Sequence, residues 1–253
     1  MLTNNHCVPS DDDAKYVQVE FGATCASCED PKNFVQLACK GTMVASSVTL
    51  VATSHALDFS LVKLNLFPYI GDLSSYGYLQ ARDSVPVLDE PIWLAGHPRG
   101  SPMRIASTTD GGVPGTIVST NVADSCSTNA VGYLLDTESG SSGSPVLSTT
   151  DNSVIALHNC GGCNAATKSN GGIPIASILA YLRTNGIPLP PNSVSATPTP
   201  TPTMTPASTK TPPPPTQTKT PTPTQAPTQN PTQNPTESPT TPTPDVVPAC
   251  YTE

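Results

Sequence analysis

The feature that most limits how this chain can fold is an abrupt change of composition near residue 188. Residues 197–244 hold 16 of the chain's 30 prolines together with 18 threonines, and no aromatic residue. Such a stretch cannot bury enough apolar surface to offset the entropy of ordering it. The folding unit is therefore expected within residues 1–188, and residues 189–253 are expected to form a disordered Thr/Pro-rich tail. Proline biases runs such as TPTPTPT and QNPTQNPTESPT toward polyproline II, and the dense threonine hydroxyls suit O-glycosylation. Asn230 and Asn234 are each followed by proline, so neither heads an N-glycosylation sequon. The tail reads as a mucin-like spacer or stalk that would allow cell-wall or surface association.

Within residues 1–188 the pattern is of short strands separated by turns. Segments 16–21, 34–38, 42–52, 59–64, 85–88, 92–95, 104–107, 115–119, 131–135, 145–148 and 153–157 alternate or are rich in β-branched residues, with Gly, Pro, Asp or Ser between them. This spacing predicts an all-β sandwich or barrel. A single helix is expected at about 174–184, with Pro174 at its start and Asn185-Gly186 as its stop. The net charge of −8 carries no Lys/Arg cluster, which argues against nucleic acid and anionic membranes as partners. No apolar run approaches the roughly 20 residues of a membrane span.

Seven of the eight cysteines lie in the first 163 residues: Cys7, Cys25, Cys28, Cys39, Cys126, Cys160 and Cys163. That density predicts disulfides in an oxidising, extracellular compartment. Zinc is the competing reading, because Cys25/Cys28 and Cys160/Cys163 are both C-x-x-C pairs; it ranks second because the pairs sit in loops and the tail accompanies secretion better than a zinc ribbon. No metal and no cofactor is expected. Met1 is followed directly by LTNNHCV, without the charged and apolar regions of a signal peptide, which suggests a mature fragment or a misplaced start.

Three motifs follow one another: Leu2-Thr3-Asn4-Asn5-His6-Cys7, Asp58-Phe59-Ser60-Leu61-Val62-Lys63-Leu64, and Gly140-Ser141-Ser142-Gly143-Ser144-Pro145. Each alone has an ordinary explanation as a surface histidine, a strand cap or a plain loop. In the order His, Asp, Ser they resemble the histidine, aspartate and serine motifs of the chymotrypsin-like (trypsin-like) serine endopeptidases. The resemblance covers about residues 1–186. It implies two antiparallel six-stranded β-barrels, the first one incomplete here, with a C-terminal helix and the catalytic cleft between the barrels. It implies Ser142 as nucleophile, His6 as general base and acid, and Asp58 as the group that fixes the His6 tautomer. The N–H groups of Gly140 and Ser142 would form the oxyanion hole, and proteins or peptides would be the substrates.

Gly96-His97-Pro98-Arg99-Gly100, the S-G-S-P ending and Leu157-His158-Asn159-Cys160-Gly161-Gly162 resemble the glutamyl and lysyl endopeptidase branch. There the corresponding strand edge, here Asn159 and Gly161, pairs with the substrate backbone, and the histidine, here His158, lines the P1 pocket. Asp136, six residues before Ser142, stands where relatives that cleave after Lys or Arg keep an acidic pocket floor. Thr137 with His158 is instead the glutamyl combination, and the reading leans to an acidic P1. The alternative for Asp136 is a structural acid paired with His158. His97 is read as a loop hydrogen-bonding residue.

Two departures stand out. Ser141 replaces the aspartate that receives the new N-terminal ammonium in digestive relatives, so that ion pair cannot form. The family also has strands and a cysteine upstream of its histidine motif. The resemblance therefore implies a chain that starts inside its first barrel, with Cys7 lacking its upstream partner, and that folds poorly by itself. Cys250 has no evident local partner. Two readings compete with the secreted endopeptidase: a non-catalytic protease homologue that binds a partner through the same cleft, and a surface stalk protein whose tail is the functional part.

Overall fold

A computed structural model describes residues 1–122, 128–162 and 169–195. Cys126, Cys163, Cys250 and the Thr/Pro-rich segment lie outside the described residues. The described chain is mostly β, in two sheets, the two-part all-β architecture that the resemblance implies.

The first sheet has four strands: β1 (Leu2–Thr3), β2 (Val19–Phe21), β3 (Thr42–Ser54) and β4 (Phe59–Leu66), ordered β1-β4-β3-β2 and all antiparallel. Valine-rich alternation in β3 and β4 turns Val44, Val48 and Val62 inward onto Val8 and Val19. A one-turn helix, α1 (Asp11–Ala14), covers this core with Ala14. The Ser10 hydroxyl caps it by accepting from the Asp13 N–H.

The second sheet contains β5 (Ala81–Arg82), β6 (Ile92–Gly96), β7 (Arg104–Ala106), β8 (Ile117–Val122), β9 (Ala130–Tyr133), β10 (Pro145–Ser148), β11 (Val154–Cys160) and β12 (Asn170–Pro174). Its main path is β7-β6-β10-β11-β12-β9-β8, antiparallel throughout. A Pro91–Thr116 bridge returns the start of β8 to the start of β6. After helix α2 (Ile175–Thr184), strand β13 (Val194–Ser195) runs parallel to β5, which is itself parallel to β11. These two parallel pairs depart from the purely antiparallel expectation. β5 and β13 are only two residues long, and each is held by the chain packed beside it rather than by a hairpin.

Helix α2 buries Ile175, Ile178 and Leu182 against Leu157 and Ile173 of the second sheet and Phe59 of the first. The Phe59 and Tyr181 rings meet edge to face at 5.3 Å, and the Tyr181 hydroxyl donates to the Thr53 carbonyl. This apolar joint fixes one sheet against the other.

Two expected strands are absent. At 34–38, Asp30-Pro31 starts a 3₁₀ turn instead, and Leu37 and Cys39 take left-handed backbone angles that no strand permits. Residues 85–87 are irregular and run into a turn, Val87–Glu90, closed by the Glu90 N–H donating to the Val87 carbonyl. Conversely, Asn170–Pro174, which is not among the expected strands, is a fully buried strand.

Candidate active site

His6 follows β1 in a tight turn in which the Cys7 and Val8 N–H groups both donate to the Asn4 carbonyl. Asp58 closes the β3–β4 hairpin in a left-handed conformation (φ 39°), held by Asn4 Nδ2 donating to its carbonyl at 2.9 Å. Because β1 pairs with β4, Thr3 lies opposite Ser60 and the two segments meet at their ends. The His6 N–H donates to Asp58 Oδ1 at 3.0 Å, and His6 Nδ1 lies 2.8 Å from Asp58 Oδ2. Asp58 is buried, whereas the His6 side chain is 46% exposed. With Nδ1–H donated to a carboxylate, the opposite nitrogen, Nε2, keeps a lone pair.

Ser142 sits half-buried in the turn that leads into β10. Gly140 and Gly143 have φ of +89° and +84°, which only glycine adopts without strain. A Cβ on Gly143 would meet Thr3 Oγ1 at 2.9 Å, so the serine turn rests directly on the strand that leads to the histidine. The Ser141 N–H donates to the Glu138 carbonyl, that of Gly143 to the His158 carbonyl, and that of Ser144 to the Ser141 carbonyl. Among the described residues no hydrogen bond uses the N–H of Gly140 or Ser142, and none joins the Ser142 hydroxyl to the His6 ring.

His158 is buried on β11, opposite Gly172 of β12. Its Nδ1 lies 2.6 Å from the Tyr133 hydroxyl, which in turn reaches the Gly171 carbonyl at 3.2 Å. A carbonyl only accepts, so the simplest complete chain has His158 Nδ1–H donating to Tyr133 Oη, and Oη–H donating to Gly171. Burial, with the nearby His6 charge second, lowers the His158 pKa to about 4. Thr137 is buried beside the strand end, and its hydroxyl has no partner among the described residues. Asn159 is buried and Gly161 is half-buried. Asp136 is exposed; partial burial, then the Asp110 and Glu138 charges, raise its pKa. No ion pair or hydrogen bond joins Asp136 to His158 among the described residues. His97 does hold its loop, through Nδ1 and the Ser101 carbonyl at 3.0 Å.

Tyr133 was not singled out from sequence. Its place two residues after inward-facing Val131 would have put it inside, and a buried phenol needs a partner. Arg99 lies in the Gly96–Gly100 motif, but nothing in sequence pointed to its ion pair with Glu138 beside the serine turn.

Cys25 is bonded to Cys39, which removes it from any zinc pair with Cys28; Cys28 is exposed and unpaired. Cys160 is also disulfide-bonded. No helix among the described residues is long and apolar enough to cross a membrane.

Residues 1–157 match the family of the trypsin-like peptidase domain, and the chain belongs to that family. A secreted RxLR effector protein 73 of Plasmopara viticola is 43% identical over 175 residues, covering 67% of this chain. The chain spans 40% of that relative's length. Solved structures with a similar fold include the inactive form of the Rv3671c protease of M. tuberculosis (14% identity, 73% of this chain, 78% of that chain, TM-score 0.49). The serine endoprotease of Yersinia pestis (15%, 74% and 53%, TM-score 0.48) and the MamO protease domain of Magnetospirillum magneticum (14%, 72% and 81%, TM-score 0.46) are similar too.

Proposed function

We propose that this chain is a secreted serine endopeptidase acting through His6, Asp58 and Ser142. The observation that carries the reading is the His6–Asp58 pair, joined both through the ring at 2.8 Å and through the His6 N–H at 3.0 Å. That double attachment orients the ring and leaves Nε2 to take the proton of the Ser142 hydroxyl as it attacks a peptide carbonyl. The imidazolium so formed is stabilised by buried Asp58 and then protonates the leaving amine. Water, deprotonated by the same ring, releases the acyl group from Ser142. The unengaged N–H groups of Gly140 and Ser142 would receive the oxyanion, each worth on the order of 10²–10³ in kcat. A looser serine–histidine contact before substrate binds is ordinary in this chemistry.

For the P1 side chain we favour an acidic residue. Thr137 offers a buried hydroxyl without a partner among the described residues, and His158 is buried too, while Asp136 is exposed. Asn159 and Gly161 would pair with the substrate backbone. Secretion is carried over from the relative's name and agrees with the Cys25–Cys39 disulfide. Surface association through a glycosylated tail belongs to the same proposal.

A non-catalytic homologue that binds a partner through the cleft is the second reading, favoured by the missing bond between Ser142 and His6. A fluorophosphonate probe separates the two. Wild-type chain should be labelled and should hydrolyse peptides with Glu at P1, and Ser142→Ala should do neither. His6→Ala should fall nearly as far, because the members of such a set act as a unit. Undiminished turnover by Ser142→Ala would rule out the assignment.

A further inference from the structure

The position before the nucleophile is Ser141, so the serine turn must be held without a buried carboxylate–ammonium pair. Its Glu138–Ser141 stretch is closed from within: the Ser141 N–H donates to the Glu138 carbonyl at 2.9 Å, and the Glu138 N–H donates to Ser141 Oγ at 3.2 Å. From outside, one residue reaches it twice. The Arg99 N–H donates to the Ser139 carbonyl at 2.6 Å, and Arg99 Nε pairs with Glu138 Oε2.

Arg99 lies in a loop built for rigidity. The Gly100 N–H donates to the His97 carbonyl, and the Ser101 N–H and hydroxyl both donate to the Pro98 carbonyl. The Leu37 N–H donates to the Gly100 carbonyl, tying in the loop closed by Cys25–Cys39. Arg99 itself takes a left-handed conformation (φ 53°), uncommon for a side chain of its size. Packing is close: a Cβ on Gly140 would meet the Arg99 N at 3.3 Å and the His97 O at 3.3 Å.

We propose that Arg99 is a positioning residue whose side chain, paired with Glu138, holds its main-chain anchor on Ser139 in place and so sets the direction of the Gly140 N–H. The inference rests on the endopeptidase reading above. In a planar trans peptide the carbonyl and the following N–H point in opposite directions. Anchoring the Ser139 oxygen on Arg99 therefore turns the Gly140 N–H away from the Arg99 loop, where no described group uses it. A rotation of this one peptide would replace a donor by a carbonyl oxygen at the place where negative charge develops. The Arg99–Glu138 pair opposes that rotation from the neighbouring residue.

The pair is exposed, with side chains 71% and 32% accessible, so its own contribution is modest. Arg99→Gln and Glu138→Gln are each expected to lower kcat about fivefold, with KM within about twofold. Arg99→Lys should retain most of the activity, and Arg99→Glu combined with Glu138→Arg should recover what either reversal loses. Affinity for a peptide boronate, which needs the oxyanion donors, should fall in step with kcat. Moderate salt should slow the wild-type chain and leave Arg99→Gln unaffected. Arg99→Gly keeps the left-handed backbone available, so it tests the side chain in a chain that still folds; circular dichroism melting checks that it does. Wild-type kcat and boronate affinity in both Arg99→Gln and Arg99→Gly would overturn the proposal while leaving the endopeptidase reading intact. A wild-type chain that neither hydrolyses peptides nor takes up the fluorophosphonate would overturn both.

Discussion

His158 is a titratable ring with almost no water around it. Burial and the His6 charge hold its pKa at about 4, against an ordinary 6.5. The folded state thus keeps it neutral through a range in which the unfolded chain binds a proton. Stability attached to this residue is complete above the unfolded value and declines as pH falls from about 6.5 to about 4, by about 3 kcal/mol in all. Thermal melts of His158→Gln, whose amide keeps hydrogen-bonding capacity toward Tyr133, should show a shallower loss between pH 7 and pH 4.5 than the wild type. Equal slopes would mean that the ring does not titrate as its surroundings imply. His6, whose charge acts on His158, is half-exposed and pairs with a carboxylate. The two histidines of the cleft differ by environment: one has a charge partner and solvent, the other a phenol and apolar walls.

Among the elements, α2 shows how local pattern becomes tertiary structure. Ile175, Ile178, Leu179 and Leu182 recur at helical spacing and give one buried face, while Arg183 at the end pairs with Asp83 at 2.8 Å. Ile178 is wholly buried at the joint between Phe59 of β4 and Leu157 of β11. Truncating it leaves a cavity there, and Ile178→Ala is expected to cost about 2–5 kcal/mol. Since β4 begins immediately after Asp58 and β11 carries His158, turnover should suffer as well as stability. Denaturant titration with a parallel assay checks both; a loss under 1 kcal/mol would show that α2 packs more loosely than its burial indicates. Segment 31–41 makes the opposite case. Its apolar residues suit a strand, but a disulfide and a proline turn fold it into a loop, with Phe34 stacked under the Arg104 guanidinium at 4.3 Å.

For the molecule as a whole, a buried charge cluster ties together three loop and strand segments of the second sheet. Arg82 on β5 makes two bonds to Glu90, at 2.6 and 2.8 Å, and lies 3.6 Å from Asp151 in the β10–β11 turn. Burial acts to raise the Glu90 pKa, but bonds from Arg82, Ser148 and the Val87 N–H together outweigh it and leave it lowered. A lowered carboxylate pKa stabilises the fold above the ordinary carboxylate range, and that contribution is lost as pH falls through the folded value. This loss belongs to more acid solution than that of His158. Arg82→Met, which strands Glu90, is expected to cost about 3–5 kcal/mol, whereas Arg82→Met with Glu90→Leu should recover much of it. Chemical denaturation of the single and double variants decides the point. If the double variant is no better than the single, the geometry of the cluster matters more than its unpaired charge.

The three motifs around His6, Asp58 and Ser142 were legible because each is contiguous and its residue types are dictated by short-range chemistry. Composition marked a change near residue 188, but not the end of the ordered chain: Leu189 packs on the core and β13 (Val194–Ser195) pairs with β5 beyond that point. Helix α2 was legible because one helix face carries its own period. Strands β5, β12 and β13 were not: two are a pair of residues long, and Asn170–Pro174 has no strand pattern of its own and is a strand only because β9 and β11 enclose it on both sides. The partner of His158 and the hold of Arg99 on the serine turn join residues 25 and 40 apart, across loops whose course no local pattern encodes. Sequence determined which groups are present and which segments are strand or helix where a periodic face repeats. Only the tertiary structure decided which ring is buried, which carbonyl is anchored and where the Gly140 N–H points, because each of these depends on backbone brought together from distant parts of the chain.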